Sequence, residues 1–318
     1  MKRKGYLYEN IYKLENIMQA TNEVCSNTKN KRKTSKFKEY KCIYISRIYN
    51  DLKNKTYTVG PYNVFTIYEP KERKIVSQNI YDKIVNHLIA RYILMPAIIP
   101  KLIDQNVASR AGYGTQKGLY YHYKYLRTCK IKYNEFYILK CDISKFFASI
   151  NHDILKNKIK KLIKDNDALK IVFDIIDSVE EGLGIGNMTS QILAIFYLND
   201  LDHFIKEKLK IKYYVRYQDD FCLYHPSKKY LRFCLGEIEK FLQKEDLKLN
   251  KKTRIYKNTN NFIFLGRNNV GKYSKYRNMK KRINKKYKLY LDKKITIKSF
   301  VSTITSYKFL KKRISYLQ

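Results

Sequence analysis

Acidic residues are scarce in this chain of 318 residues: 28 Asp+Glu stand against 66 Lys+Arg, for a net charge of +38. AT-rich codon usage raises Lys, Asn, Ile and Tyr together, but Asp and Glu codons tolerate it as well. The deficit therefore points to a polyanionic partner. The six cysteines (Cys25, Cys42, Cys129, Cys141, Cys222, Cys234) show no C-x-x-C spacing and no paired histidines. They read as free thiols, mostly buried, in a reducing cytosol. A membrane-spanning run is missing too. Ile11 to Val24 is broken by polar residues and too short for a bilayer, and no signal peptide precedes it, so a cytoplasmic protein is expected. No internal repeat is visible. A hydrophobic content of 44% supports one large or a few small subdomains.

Against this background the few acids that cluster stand out. Asp219 and Asp220 sit side by side within Tyr213 to Tyr224 (YYVRYQDDFCLY), between two runs rich in β-branched and aromatic residues. The pattern predicts strand, tight turn, strand, with the carboxylates at the tip. Adjacent like charges are costly unless a cation sits beside them, and magnesium takes hard oxygen ligands from carboxylates and phosphates. An isolated Asp-Asp pair is usually a solvated turn. Here a third carboxylate, Asp142, ends another strand-like run, Phe136 to Cys141, and a helix capped by Asn151 follows, with Leu155, Ile159, Leu162 and Ile163 at helical spacing. Strand–Asp, turn, helix and a later Asp-Asp hairpin match the palm of a two-metal polymerase, whose ions clamp the attacking and leaving oxygens.

At these residues the chain resembles reverse transcriptases, most closely those of bacteria. Glu69 to Ile75 with Asp82 to His87 resembles the first fingers block, and Ser109 to Gly118 the second. Asp142 to Phe147 resembles the first catalytic motif, Gly184 to Gln191 the template and nucleotide motif, and Tyr217 to Asp220 the Y-x-D-D box. Leu247 to Thr253 and Phe264-Leu265-Gly266 resemble the two blocks that follow. The form Ile185-Gly186-Asn187-Met188-Thr189-Ser190-Gln191, and the opening Met1 to Asn10, are similar to enzymes of diversity-generating retroelements. Stand-alone antiphage reverse transcriptases diverge in similar ways and form the alternative, copying a dedicated non-coding RNA or working without a template. A catalytically inactive RNA-binding relative is a third reading, against which the three aspartates argue.

The resemblance implies an α+β fold of right-hand polymerase architecture. The fingers would span residues 1–134. The palm, a small antiparallel sheet backed by helices, would span 135–271, and a short helical thumb 272–318. It implies RNA-directed DNA synthesis, template RNA and an RNA–DNA duplex as partners, dNTPs, two Mg2+ ions (Mn2+ as substitute), a small basic accessory protein, and a bacterial or phage origin. Asp142 and Asp219 would hold both metals with the Ile143 carbonyl, and Asp220 would support them from the edge. Phe147 would be the steric gate against a nucleotide 2′ hydroxyl. Arg73, and less so Lys71, would meet the triphosphate. Ile185 stands where many relatives carry glutamine, which implies reduced fidelity. Gly186 would let backbone approach the template strand, and Gln191 replaces a proline. Arg110, Gly112, Gly114 and Lys117 would contact template, and Phe264, Leu265 and Gly266 would form the primer grip. Lys251 and Lys252 are candidates to protonate the leaving pyrophosphate.

Periodicity predicts several elements directly. Ile11, Leu14, Ile17 and Met18 form a helical stripe, followed by a basic loop, Lys29 to Lys33. Thr56 to Ile67 reads as strands turning at Gly60-Pro61, and Asp82 to Leu94 as a helix ended by Pro96. Helices are expected over Ser190 to Phe204 and Tyr230 to Gln243. In the tail, Ile295, Ile297, Phe300, Val301, Ile304 and Leu310 would provide a small core.

Overall fold

The computed structural model describes residues 3–28, 31–68, 72–268, 275–302 and 304–305. It divides into two compact units, Met1–Asn260 and Asn261–Gln318. The first begins with helices α1 (Leu14–Asn27), α2 (Lys31–Glu39) and α3 (Lys41–Lys53). The buried stripe of α1 is Ile17, Ala20, Thr21, Val24 and Cys25. Leu14 and Met18 are instead about half exposed, because the 3₁₀ turn before α1 rotates Ile11 inward out of helical phase. The basic segment expected as a loop enters α2 at Lys31, with Lys29 outside the described residues.

The strands expected from Thr56 shorten to β1 (Asn63–Ile67), paired antiparallel with β2 (Arg73–Ser77). Thr56 and Tyr57 turn back to the Asp51 carbonyl, which spends their N–H groups on closing α3. Helix α4 (Ile80–Ile89) is capped by Asn79, whose side chain accepts from the Asp82 N–H. It does not stop before Pro96. A π turn over Ala90–Leu94 leads into α5 (Met95–Ile98), which holds Pro96 in its first turn. A proline ring clashes with the carbonyl four residues back and offers no N–H, and the wider π turn accommodates both defects.

Helix α6 (Thr115–Tyr133) leads to the central sheet, of order β4-β5-β3-β6. It comprises β3 (Tyr137–Asp142), β4 (Tyr213–Tyr217), β5 (Asp220–His225) and β6 (Arg254–Lys257), all neighbours antiparallel. Strands β4 and β5 are buried nearly throughout, and helices cover both faces of the sheet: α6 lies over β4 and β5, and α11 (Lys228–Lys244) over β3, β5 and β6. Leu231, Cys234, Ile238 and Leu242 of α11 face the sheet, and each large apolar side chain so buried contributes about 1.5–3 kcal/mol. Helices α7 (His152–Lys160), α8 (Asn166–Asp177), α9 (Met188–Tyr197) and α10 (Asn199–His203) fill the connection between β3 and β4. Asn151 caps α7 as expected, accepting from the Asp153 and Ile154 N–H groups. The single helix expected over Ser190 to Phe204 is broken at Leu198 into α9 and α10. Helix α9 packs on α4, α5 and α7 and meets the hairpin through Arg216, which donates to the Ile195 carbonyl.

In the second unit β7 (Ile263–Phe264) and β8 (Arg267–Asn268) form a hairpin. Its turn residues Leu265 and Gly266 have φ of 50° and 77°. Helix α12 (Lys275–Leu291) follows. Of the tail residues expected as core, Ile297 and Val301 are exposed, Phe300 contacts the Tyr287 and Tyr290 rings, and Leu310 lies outside the described residues. No helix among the described residues is long and apolar enough to cross a membrane.

Candidate active site at the end of the central sheet

Strand register brings the acids together. Asp142, the last residue of β3, pairs directly with Asp220, the first residue of β5. Opposed residues of an antiparallel pair have Cα atoms about 4.5–5.5 Å apart. Tyr217 pairs with Asp220, so Gln218 and Asp219 form the two-residue turn of the β4–β5 hairpin and Asp219 sits beside the pair. The Lys140 ammonium donates to Asp220 Oδ1 at 2.9 Å. Lys140 lies two residues before Asp142, hence on the same face of β3. The Asp220 carboxyl is raised to about 6, chiefly by burial, with Asp142 and Asp219 adding to the rise and Lys140 opposing it. Negative charge is collected here at an energetic cost, which makes this sheet end a candidate functional site.

The turn is held from behind. Gln218 has φ of 55°, an uncommon conformation for a side-chain-bearing residue. Arg216 Nη1 donates to the Gln218 carbonyl at 2.9 Å. The same guanidinium, fully buried, donates through Nε (2.7 Å) and Nη2 (2.5 Å) to the two carboxylate oxygens of buried Asp202 on α10. Tyr214 Oη donates to that carboxylate at 2.6 Å. On the front, Gln218 Nε2 donates to Ser109 Oγ (2.9 Å), which donates to Gln191 Oε1 (3.4 Å). Gln191 thus lies within α9, tied to the β4–β5 turn through Ser109. The roles of Lys140, Arg216 and Asp202 escaped the sequence reading, and Ser109 and Gln218 entered it only as members of motif blocks. Only Lys140 left a signal there, through its two-residue offset from Asp142.

Phe147 follows in a short 3₁₀ turn and is half-buried. Its carbonyl accepts from the Leu183 N–H at 2.7 Å. Gly182, at φ of 63°, presses so closely that an added Cβ would lie 2.2 Å from that oxygen. Next along this loop, the Ile185 carbonyl accepts from the Val76 N–H of β2 at 3.3 Å. Gly186, at φ of 123°, leaves 3.3 Å between an added Cβ and the Val76 carbonyl. One loop thus touches both Phe147 and the strand that carries Arg73, which is exposed at the start of β2. Lys71 lies outside the described residues. The Asp142 carbonyl and the Ser144 N–H make the bonds flanking the Ile143–Leu249 bridge. The Ile143 carbonyl takes no part in them.

Arg110 turns to its own loop: Nη1 donates to the Ile103 and Asn106 carbonyls, and the guanidinium lies 4.0 Å from the Tyr113 ring centroid. Gly112 and Gly114 have φ of 74° and 111° with open space around a virtual Cβ, so the turn itself requires glycine. Lys117 opens α6 above the Tyr113, Tyr120 and Tyr121 rings. Phe264, Leu265 and Gly266 belong to the hairpin of the second unit.

The donor set fits a hard divalent cation, with three carboxylates gathered at one sheet end and Asp220 destabilised by its neighbours. Among the described residues no three acidic, histidine or cysteine side chains already close into a metal-holding group, and Lys140 stands against Asp220 instead.

Comparisons with known proteins agree with this geometry. A family model described as reverse transcriptase (RNA-dependent DNA polymerase) matches residues 66–268, which include all three aspartates. No curated protein sequence matches the chain. A solved structure of telomerase from Candida albicans in complex with a TWJ fragment of telomeric RNA is similar at TM-score 0.53 and 13% identity, covering 75% of this chain and 52% of that one. Apo telomerase from Candida tropicalis, truncated from its C-terminal domain, is similar at TM-score 0.52 and 16% identity, covering 74% of this chain and 58% of that one. At such identities the likeness is one of fold, and the chain spans little more than half the length of either telomerase chain.

Proposed function

This chain belongs to the reverse transcriptase family, and on that premise we propose that it copies an RNA template into cDNA as the error-prone polymerase of a diversity-generating retroelement. The observation that carries the polymerase reading is the pairing of Asp142 with Asp220 across β3 and β5, beside Asp219 in the turn. Asp142 and Asp219, with the Ile143 carbonyl, would hold a pair of magnesium ions, which when bound supply Lewis-acid activation of the primer 3′ hydroxyl and neutralise charge on the leaving pyrophosphate.

The remaining work falls to the protein's own groups. Lys140 balances Asp220 and keeps it at the edge of the site. Arg216 and Ser109 fix the turn, so Asp219 is presented without rearrangement. Arg73, on the strand bonded to the Ile185 loop, receives the triphosphate of the incoming dNTP. Phe147 excludes the 2′ hydroxyl. Ile185 offers no side-chain hydrogen bond to the nascent pair, which supports low fidelity and with it the retroelement over a defence role.

Primer extension on an RNA template with magnesium tests this. Wild-type protein is expected to make cDNA, while Asp142→Ala and Asp219→Ala abolish synthesis and leave RNA binding nearly intact. Synthesis by either variant would overturn the site assignment. Sequencing the products of wild type and Ile185→Gln reads the fidelity claim, with fewer errors expected from the glutamine variant.

A further inference from the structure

Helix α6 combines a buried face bound to the sheet with an outer face of different composition. Tyr121, His122, Tyr125 and Cys129 point inward. His122 Nδ1 and Tyr224 Oη share a 2.5 Å hydrogen bond, and Tyr224 lies four residues along β5 from Asp220, on the same face of the sheet. The helix therefore sits on the catalytic face, beyond the aspartates.

Its origin lies next to the catalytic turn. Asn106 bridges Arg216 in parallel, the Arg216 N–H donates to the Gln105 carbonyl, and the Val107 N–H donates to the Arg216 carbonyl. Gly114, which precedes α6, donates to the Val107 carbonyl. The segment Gln105 to Val107 ahead of α6 thus bridges the edge of β4, two residues from the turn.

The outward stripe reads Lys117, Tyr120, Lys124, Arg127 and Ile131, at steps of three and four residues. Across its 19 residues the helix holds no aspartate or glutamate. Among the described residues, none of Lys117, Lys124 and Arg127 forms an ion pair with an acid. Tyr120 is 53% exposed. Its ring lies between two ammonium groups, Lys117 Nζ at 5.8 Å and Lys124 Nζ at 5.7 Å from the centroid. A helix of this length extends about 28 Å, which spans several nucleotides of an extended strand.

We propose that this stripe is a track for single-stranded RNA: the unpaired template next to the duplex in the site. The inference rests on the polymerase reading and extends it from Lys117, already expected to contact template, along the outer face of α6 to Tyr120, Lys124 and Arg127. Unpaired cations give a polyanion its partners, and an exposed ring between cations offers a face on which an unpaired base stacks. In a duplex the bases are already stacked, so a ring presented this way favours the unpaired strand.

Fluorescence anisotropy with labelled RNA–DNA primer–templates tests this, comparing template overhangs of about 3 and about 12 nucleotides, a range set by the span of one such site. Wild-type protein is expected to bind the long overhang on the order of tenfold more tightly, a preference of the size one stacked base supplies. Tyr120→Ala and the pair Lys124→Ala with Arg127→Ala should each erase that preference while keeping short-overhang affinity. The paired substitution should also reduce the slope of log affinity against log salt by about 1.4 on the long overhang, two single-strand phosphate contacts. Circular dichroism confirms that the variants fold. Retention of the long-overhang preference by all variants, or equal loss of affinity for both substrates, would overturn the track. Failure of wild type to extend either primer would instead count against the polymerase reading, since the overhang preference is measured without chemistry.

Discussion

His122 shows how one buried group couples the stability of the fold to pH. It is 1% exposed and bonded to Tyr224, and burial, aided by the Lys140 charge, pulls its pKa down to about 4. In the unfolded chain an imidazole takes up its proton near 6.5. Between those values the unfolded state binds more protons, so stability is lost as pH falls from about 6.5 to about 4, by about 3 kcal/mol in all. Urea unfolding at pH 7.5 and 4.5 should show His122→Gln losing less stability in acid than wild type by roughly that amount; equal losses would mean that His122 is not held neutral. At this scale the sequence was legible where chemistry demands a rare arrangement. Adjacent aspartates on a β-rich run and a third at a strand end are costly outside a cation site, so they declared themselves. Asp202 and Arg216 did not. An acid on a helix and an arginine within a strand look like solvated surface until tertiary packing buries them together, and a fully buried, bidentate pair of that kind is created only by the fold.

Elements were legible in type and less so in extent. The β4–β5 hairpin, the Asn151 cap and α11 follow from local chemistry, whereas the passage of helix through Pro96 depends on a π turn that no propensity encodes. The loop was legible as a motif from Gly184 onward, whereas Gly182 and the clamp it forms were not. The Leu183 N–H holds the Phe147 carbonyl, His152 Nε2 lies 2.7 Å from the Gly182 carbonyl, and the Ile185 carbonyl reaches β2. A Cβ at Gly182 would stand 2.2 Å from the Phe147 oxygen and 2.6 Å from Ala148 Cα. Both are backbone atoms with little room to yield, and φ of 63° already disfavours a side chain. Gly182→Ala should therefore displace Phe147 and weaken sugar discrimination without touching the aspartates. Expected is a drop in the ratio of kcat/KM for dNTP over rNTP of about tenfold, the scale of one methyl-sized misfit, and a larger drop for Phe147→Ala. If Phe147→Ala relaxes discrimination and Gly182→Ala does not, the clamp fails; if neither does, the gate itself is wrong.

For the whole molecule the dominant quantity is charge. The net +38 is what remains after every acid has been counted, and exposed ion pairs such as Arg47–Asp51, Lys55–Asp167, Lys240–Glu237 and Lys257–Glu135 contribute little to stability. Composition could announce a polyanionic partner but not where it lies, since lysines on a solvated face and lysines along a phosphate track have the same sequence. Salt separates the two. Each neutralised phosphate releases condensed counterions, so the slope of log affinity against log salt counts contacts, whereas a merely basic surface gives a shallow slope. With six to ten phosphates engaged, affinity for an RNA–DNA hybrid should fall by about 10³–10⁵ between 50 and 200 mM salt. Asp142→Ala should leave that slope unchanged, because the proposed role of the aspartates is at the reacting end and not along the backbone. A loss of less than about tenfold over the same range would place most of the 66 cationic side chains in solvent and confine nucleic-acid contact to the reacting end.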